Sequence, residues 1–324
     1  VKIITGNEVF FLSFVNNSVP SILGIFISTT AKSGGVLDKP IKANESPDCP
    51  DPSAVNISGI GSFGGSDAES FISRTNALGG NGFCKTTPEK YGVKVFKMGF
   101  CKQNPGNPSG TGAREGQNPD YSSCSWSLES TDGIDADFSA TTSIDLPQGS
   151  SSKPAAGTYS YAVMIMSKDL RIKGNYGPVG GTTYYSKNAN SLTDYAGTTD
   201  INEYDFTTAP LVSFTGPDKC GASTEGVPVT GGTMSGYLLD NTGKMEESVP
   251  GPFDPEIGCA DADKLLGVVN MTNDLTIDDN TNGLKMTFVV TDNGMSVMTN
   301  SGEVWPPTEL LMSSGPFRVT FASF

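Results

Sequence analysis

The stretch SSKPAAGTYSYAVMIMSKDLRIKGNYG (residues 151–177) gives a strong indication of the fold class of this 324-residue chain. PAAGTY is typical of a turn that enters a strand, and YSYAVMIM is rich in the β-branched and aromatic residues that strands favour. LRIKG is predicted to form the neighbouring strand. Strong β-formers bounded by Pro and Gly therefore predict an all-β structure in this region.

Similar patterns recur on both sides of this stretch. YGVKVFKMGFC (91–101) and SCSWSLES (123–130) alternate apolar and polar residues, and further strands are predicted at APLVSFTG, MSGYLLD, DKLLGVVNMT, LKMTFVVTD, MSVMT and FRVTFASF. Gly and Pro together make up 60 of the 324 residues, which suits short strands joined by turns. The chain is therefore predicted to be all-β, with antiparallel sandwiches or jelly rolls. A short helix is expected only at DAESFISRTNAL (67–78).

The charge of the chain is uneven and predicts its division. The net charge is −14, and residues 201–324 carry −12 of it. This shift predicts a boundary near residue 205, with β-sandwich domains at 36–205 and 206–324 behind an apolar segment at 1–35. An acidic chain lacks the clustered Lys and Arg that bind phosphates, so no nucleic-acid partner is expected.

The chain contains no histidine, which excludes a Ser-His-Asp triad, a Cys-His dyad and a His-bearing zinc site. Catalysis by paired carboxylates needs only Asp and Glu. The acidic motifs DGIDAD (132–137) and DADK (261–264) are interpreted as solvated loop acids, so no catalytic residue is predicted and no enzyme or cofactor is expected.

One motif resembles part of a calcium loop. DDNTNG (278–283) places Asp278, Asn280 and Asn282 at alternate positions before a Gly. Val289 stands where such a loop has its bidentate Glu, and strands flank the motif. A simple hairpin turn is therefore predicted here, and no metal site.

The cysteines indicate an oxidising compartment. Their number is even and their spacing wide, without a CxxC pair: they are Cys49, Cys84, Cys101, Cys124, Cys220 and Cys259. Fifteen connectivities exist; proximity and the domain division favour 101–124 and 220–259, which leaves 49–84. Disulfides predict an extracellular or cell-surface protein, and a first residue other than Met fits a processed precursor.

Two further sets of residues bear on surface chemistry. Glycosylation triplets begin at Asn16, Asn44, Asn56 and Asn270, and triplets are common by chance in a chain rich in Asn, Ser and Thr. The aromatic residues of TTYYSKN (182–188) and EVWPPTEL (303–310) are candidate carbohydrate contacts, with core or turn packing as the simpler interpretation.

EVFFLSFVNNSVPSILGIFIST (8–29) is the most apolar part of the chain. Asn16, Asn17, Ser18 and Pro20 interrupt it, so a transmembrane helix is not predicted. Two interpretations stay open and are compatible. VFFLSFV (9–15) and ILGIFIS (22–28) are either buried strands of their own domain or an extension buried in a neighbouring subunit.

The candidate assembly interface consists of alternating apolar residues near both ends of the chain. They are Phe10, Leu12, Phe14, Leu23, Ile25, Ile27, Phe317, Val319 and Phe321. Alternation places each set on one face of a strand. The polar tract at 28–53 would tether the first two sets to the body, and strands at both ends create edges that need pairing.

A leading apolar strand, a β-sandwich body and an alternating aromatic C-terminal strand resemble the layout of donor-strand fimbrial subunits. The chain departs from that layout in its size and its two predicted body domains. The resemblance implies a structural subunit of an extracellular, pilus-like filament that polymerises head to tail with copies of itself. The alternatives are a monomeric carbohydrate-binding or adhesive module, a phage or virus structural protein, and, last, a carboxylate-dependent glycosidase.

Overall fold

A computed structural model of the chain describes residues 2–4, 10–13, 49, 82–138, 143–145, 152–179, 181–190, 197–214, 220–229, 231–248, 259, 261–281, 283–290, 294–299, 310–315 and 318–323. The fold of these residues is all-β, as predicted, with one short 3₁₀ helix at Ile201–Glu203. The helix predicted at 67–78 lies outside the described residues.

The strands are β1 (Lys2–Ile4), β2 (Phe10–Ser13), β3 (Gly82–Thr86), β4 (Lys90–Cys101), β5 (Cys124–Asp137), β6 (Ser143–Asp145), β7 (Gly157–Ser167), β8 (Asp169–Lys173), β9 (Asn175–Val179), β10 (Thr182–Ser186), β11 (Ala189–Asn190), β12 (Gly197–Thr198), β13 (Thr207–Pro210), β14 (Ser223–Val229), β15 (Gly232–Asp240), β16 (Ala262–Ile277), β17 (Gly283–Val289), β18 (Met295–Thr299), β19 (Leu311–Ser314) and β20 (Arg318–Ser323).

The largest sheet in the described part of the chain has nine strands. Its order is β11-β13-β8-β4-β7-β16-β15-β14, and β5 also pairs with β4. The neighbours are antiparallel except for the parallel pair β11 and β13. The four smaller sheets are β1-β6, β12-β10-β9, β2-β17-β20 and β19-β18-β3.

β7 and β8 follow one another along β4, and the sheet divides there. β4 pairs with β7 from Val95 to Cys101 and with β8 from Lys90 to Gly92. On the other side, β7 pairs with β16 while β8 pairs with β13. The prediction that LRIKG is the neighbour of YSYAVMIM is therefore wrong, because β8 continues along β4 and does not turn back.

The centre of the large sheet is buried on both faces. Ala162, Met164 and Met166 of β7 belong to one hydrophobic cluster, whereas Val163 and Ile165 belong to another. Because successive side chains of a strand point to opposite faces, the two clusters cover the two faces. Two-sided burial explains why AVMIM is continuously apolar.

Hydrogen bonding crosses the predicted boundary at residue 205. β16 pairs with β7 over Lys264↔Ser167 to Ile277↔Gly157, and β18 pairs with β3. Strands from the predicted domains 36–205 and 206–324 therefore share sheets. The charge step is a property of composition, and composition does not determine strand pairing.

A disulfide-closed loop covers one face of β15. Cys101 and Cys124 are bonded, as predicted, and enclose residues 102–123. Asn104 Nδ2 donates to the Tyr237 hydroxyl at 2.8 Å, and Gly116 N–H donates to the Met245 carbonyl at 3.0 Å. These contacts hold the polar loop against a sheet whose Tyr237 is fully buried.

The other described cysteines are also oxidised. Cys220 is bonded to Cys259, as predicted, and Cys49 is disulfide-bonded. The Cys49 N–H donates to the Lys85 carbonyl at 2.7 Å, next to Cys84 in the chain. Among the described residues, no helix has the length and apolar character needed to cross a membrane.

Candidate functional site

β17 is the centre of the candidate assembly site, because it lies between β2 and β20. Both pairs are antiparallel, and Met286 is the register partner of Phe10 on one side and of Phe321 on the other. Leu284 likewise stands between Leu12 and Ser323. The structure thus joins an early strand of the chain to a late one through a single central strand.

Four of the predicted assembly residues fall in this sheet. Phe10 and Leu12 lie in β2, while Val319 and Phe321 lie in β20. The other predicted interface residues lie outside the described residues: they are Phe14, Leu23, Ile25, Ile27 and Phe317. In this single chain, Phe10–Ser13 pairs with β17 of the same chain. This is the arrangement expected if the segment belongs to its own domain.

β17 is attached to the core through Phe288. Phe288 is 2% exposed and stacks on Phe138, which in turn stacks on Tyr91 with ring centroids 6.1 Å apart. The Tyr91 hydroxyl donates to the Gly315 carbonyl at 3.0 Å, and burial raises the pKa of Tyr91. The strand that receives β2 and β20 therefore belongs to the body of the protein.

A second feature is an open, polar depression beside β10, here called the polar depression. Its volume is about 430 Å³, and it is lined by Lys187, Asn188, Asn202, Glu203, Tyr204 and Asp205. Its two walls come from the chain after β10 and from the 3₁₀ helix with the residues that follow it. TTYYSKN, a candidate carbohydrate contact, contributes Lys187 and Asn188. The polar run INEYD (201–205) is a site that the sequence pattern does not predict, although its Asn, Glu, Tyr and Asp are residue types that bind polar ligands.

Backbone contacts hold the two walls of the polar depression together. Lys187 and Tyr204 form an antiparallel bridge. Asp205 N–H donates to the Ser186 carbonyl at 3.1 Å, and the Ser186 hydroxyl donates to the Asp205 carbonyl at 2.6 Å. Ser186 is fully buried whereas Asp205 is exposed, so these part-buried bonds tie the rim of the depression to the interior and fix the geometry of the walls.

Tyr204 forms the aromatic part of the polar depression. Its ring lies 5.2 Å from that of Tyr185, and Lys173 Nζ lies 4.4 Å from its centroid. Its hydroxyl donates to Glu89. Burial and the hydrogen bond to Glu89 raise the pKa of Tyr204, so Tyr204 is neutral at physiological pH. Tyr184 of the same motif is buried in the core instead.

The acidic motif DGIDAD lies on β5, so the interpretation as loop acids is wrong for this motif. Asp135 pairs with Arg171 at 2.8 Å and with Lys94 at 3.5 Å, and Asp137 pairs with Lys90 at 3.1 Å. These ion pairs are partly exposed: Lys90 and Lys94 lie on β4, next to β5, whereas Arg171 lies on β8, on the other side of β4. In DADK, Asp263 pairs with Lys264 at 2.7 Å. Each of these carboxylates has a cationic partner, which favours a structural role.

DDNTNG forms a turn, but it is not the turn of a hairpin. Asp278 Oδ1 accepts from the N–H groups of Asn280 and Thr281 at 2.9 and 3.0 Å. This turn joins β16 to β17, which belong to different sheets. The hairpin prediction is therefore wrong, because the chain leaves the nine-stranded sheet at this point. Within the described ranges, no group of three or more potential metal ligands is present.

No family model, curated protein or solved structure matches this chain.

Proposed function

We propose that the chain is a structural subunit of an extracellular filament, in which copies join head to tail by exchange of the strand β2. The observation that supports the proposal is the position of β2 on the open side of β17, opposite β20. β2 is a short strand, and its described pairing is with β17 alone. It is thus a peripheral addition to the body.

The pairing of β2 with β17 suits exchange between copies. An antiparallel ladder is made of backbone N–H and carbonyl groups, which are the same whether β2 comes from the same chain or from a neighbour. Exchanging an identical element therefore needs no new type of contact. When the same exchange continues from copy to copy without closing, it produces a filament.

The covalent length of the chain permits such an exchange. Cys49 is attached to the body by its disulfide and by its hydrogen bond to Lys85. Ser13 precedes Cys49 by 36 residues, which span at most about 120 Å when fully extended. A compact protein of 324 residues has a radius of gyration of roughly 20 Å. A strand on this tether can therefore reach a neighbouring body.

The disulfides support the extracellular part of the proposal. The Cys101–Cys124 bond joins the end of β4 to the start of β5. The Cys220–Cys259 bond lies within a buried hydrophobic cluster. Such bonds persist in oxidising compartments and are rare in the cytosol. They would also protect a filament subunit that is exposed outside the cell.

Cross-linking of the register partners Leu12 and Leu284 tests the exchange directly. A chain with Leu12→Cys is co-expressed with a chain of different mass that carries Leu284→Cys, and both are oxidised. We expect a covalent species of the combined mass on a non-reducing gel. A chain carrying both substitutions should form ladders of covalent multimers.

The matched control replaces Leu284→Cys by Val289→Cys. Val289 lies on the same strand five residues further along, about 16 Å away, so its cross-link to Leu12→Cys should be weak. If the double substitution gives only cross-linked monomers and the mixed chains give no combined species, β2 stays in its own chain and the proposal fails.

Negative-stain microscopy provides the independent readout. The purified chain should form filaments, and a variant that lacks residues 1–13 should give dispersed, folded particles. Dispersed particles of the unaltered chain under all assembly conditions would contradict the proposal.

A further inference from the structure

We propose that the polar depression binds a neutral saccharide. The inference does not depend on filament formation, since every lining residue comes from one body of the chain. Its volume of about 430 Å³ lies within the range of small-ligand sites.

The hydrogen-bonding groups of the polar depression match the hydroxyl groups of a sugar. A hydroxyl both donates and accepts, and a side-chain amide offers donors and an acceptor together. Asn188 and Asn202 supply two such amides, and both are exposed. Glu203 and Asp205 add acceptors, while Lys187 adds a donor. This mixture fits a ligand with several neighbouring hydroxyl groups.

Several of these groups are already oriented in the free protein. Asn202 Nδ2 donates to Asp200 Oδ1 at 2.8 Å, and the same carboxylate oxygen accepts from the Asn202 N–H at 2.9 Å. Asp205 Oδ1 accepts from the Phe206 N–H at 2.8 Å. Binding to groups that are fixed in advance costs less conformational entropy. The polar depression thus offers a preformed set of partners.

Apolar surface lies next to these polar groups. Tyr204 lines the depression, and Ile201, on the same 3₁₀ helix as Asn202, is 56% exposed. The C–H faces of a sugar ring are apolar, whereas its rim carries the hydroxyl groups. A polar depression with a Tyr ring and an exposed Ile beside it is complementary to both parts of such a ring.

The charge of the polar depression favours an uncharged ligand. Its lining has two carboxylates, Glu203 and Asp205, against one ammonium, Lys187. A sialylated or sulfated glycan would bring a further negative charge next to these carboxylates, and like charges at short range disfavour binding. The proposed ligand is therefore a neutral hexose or N-acetylhexosamine unit of an oligosaccharide.

The test begins with an array of neutral oligosaccharides built from glucose, mannose, galactose and N-acetylglucosamine, with sialylated and sulfated glycans as the anionic set. The full chain should bind at least one neutral oligosaccharide, and titration calorimetry should give its Kd. Asn188→Ala and Asn202→Ala should each weaken binding by about tenfold, because each removes hydrogen bonds to the sugar.

Asn270→Ala is the matched control, since Asn270 is an exposed amide on β16 outside the depression. It should leave the Kd unchanged. The three Asn→Ala variants should have the same melting temperature as the unaltered chain. Glu203→Gln keeps the shape of the side chain and removes one of the two carboxylates, so it should narrow the difference in affinity between neutral and anionic glycans. Three results would each overturn the proposal: binding of anionic glycans alone, no binding to any glycan, or Asn188→Ala and Asn202→Ala variants that bind as tightly as the unaltered chain.

Discussion

The ring of Phe288 stacks on that of Phe138, with centroids 3.9 Å apart and an interplanar angle of 15°. This contact joins β17, and with it the β2-β17-β20 sheet, to the aromatic core around Tyr91. The candidate assembly site is therefore packed against the core of the protein through Phe288.

Phe288→Ala should destabilise the protein by about 3–5 kcal/mol, because it leaves a cavity in a closely packed core. Urea denaturation followed by fluorescence measures this loss. Val227→Ala, at a 38% exposed position, serves as control and should change stability by no more than about 0.5 kcal/mol. A loss below about 1 kcal/mol for Phe288→Ala would show that β17 is not anchored in this way.

A fragment of residues 206–324 should not fold alone, although the charge step predicts a domain there. β16 would lose its partner β7, and side chains such as Leu266 and Val268, at most 1% exposed in the whole chain, would face water. Circular dichroism should show no cooperative melting of the fragment, in contrast to the full chain. A cooperative transition would support the predicted boundary near residue 205.

All cysteines should be oxidised, so alkylation without reductant followed by mass spectrometry should label none. Removing the Cys101–Cys124 bond by a double Ala substitution should cost about 3 kcal/mol, since it frees a loop of 23 residues in the unfolded chain. Removing Cys220–Cys259 should cost slightly more, because its separation is 39 residues. Two or more labelled cysteines would contradict the proposed oxidising compartment.

Glu115 and Glu246 should respond to pH with opposite signs. Burial alone would raise the pKa of Glu115, but hydrogen bonds from Ser223 and Ser248 outweigh it and hold this pKa below its ordinary 4.5. Glu115 therefore stabilises the fold above about pH 4.5, and this stability is lost as the pH falls through the lowered pKa. Glu115→Gln should lower the Tm at pH 7 and flatten its acid dependence.

Burial, and then Asp261 and Asp240, raise the pKa of Glu246, and its buried Oε1 has no hydrogen-bond partner. The ionised carboxylate is thus less favourable in the folded state than in the unfolded state, so Glu246 lowers the stability of the fold as the pH rises above about 4.5. Glu246→Gln should raise the Tm at pH 7, and the gain should vanish below about pH 4.5, where the carboxyl is protonated in both states. Tm shifts of the same sign for the two Gln variants at pH 7 would contradict this assignment.

Asp278→Ala should destabilise the chain by about 1 kcal/mol, because it removes the side chain that accepts from the N–H groups of Asn280 and Thr281. Asp279→Ala, at the neighbouring exposed position, is the control and should have little effect. Thermal melts with calcium and with chelator should coincide for the unaltered chain. A melting shift of several degrees on addition of calcium, absent in Asp278→Ala, would show that the turn binds the ion.

The class of the fold and several of its strands follow from local patterns in the sequence. YSYAVMIM and YGVKVFKMGFC form strands because their β-branched, aromatic and alternating residues suit an extended, partly buried backbone, and close spacing brought Cys101 and Cys124 together. These features are local: each depends on residues that are near one another in the chain.

Which strands pair with one another depends on the tertiary structure. β16 pairs with β7 across the predicted boundary, β17 lies between β2 and β20, and Asp278 turns the chain from one sheet into another. Asn188 of TTYYSKN and Asp205 of INEYD likewise line one depression, although nothing in either motif predicts that the two lie close together. The physical reason is that every strand offers the same backbone donors and acceptors, so the choice of partner depends on side-chain packing between segments that are distant in the sequence.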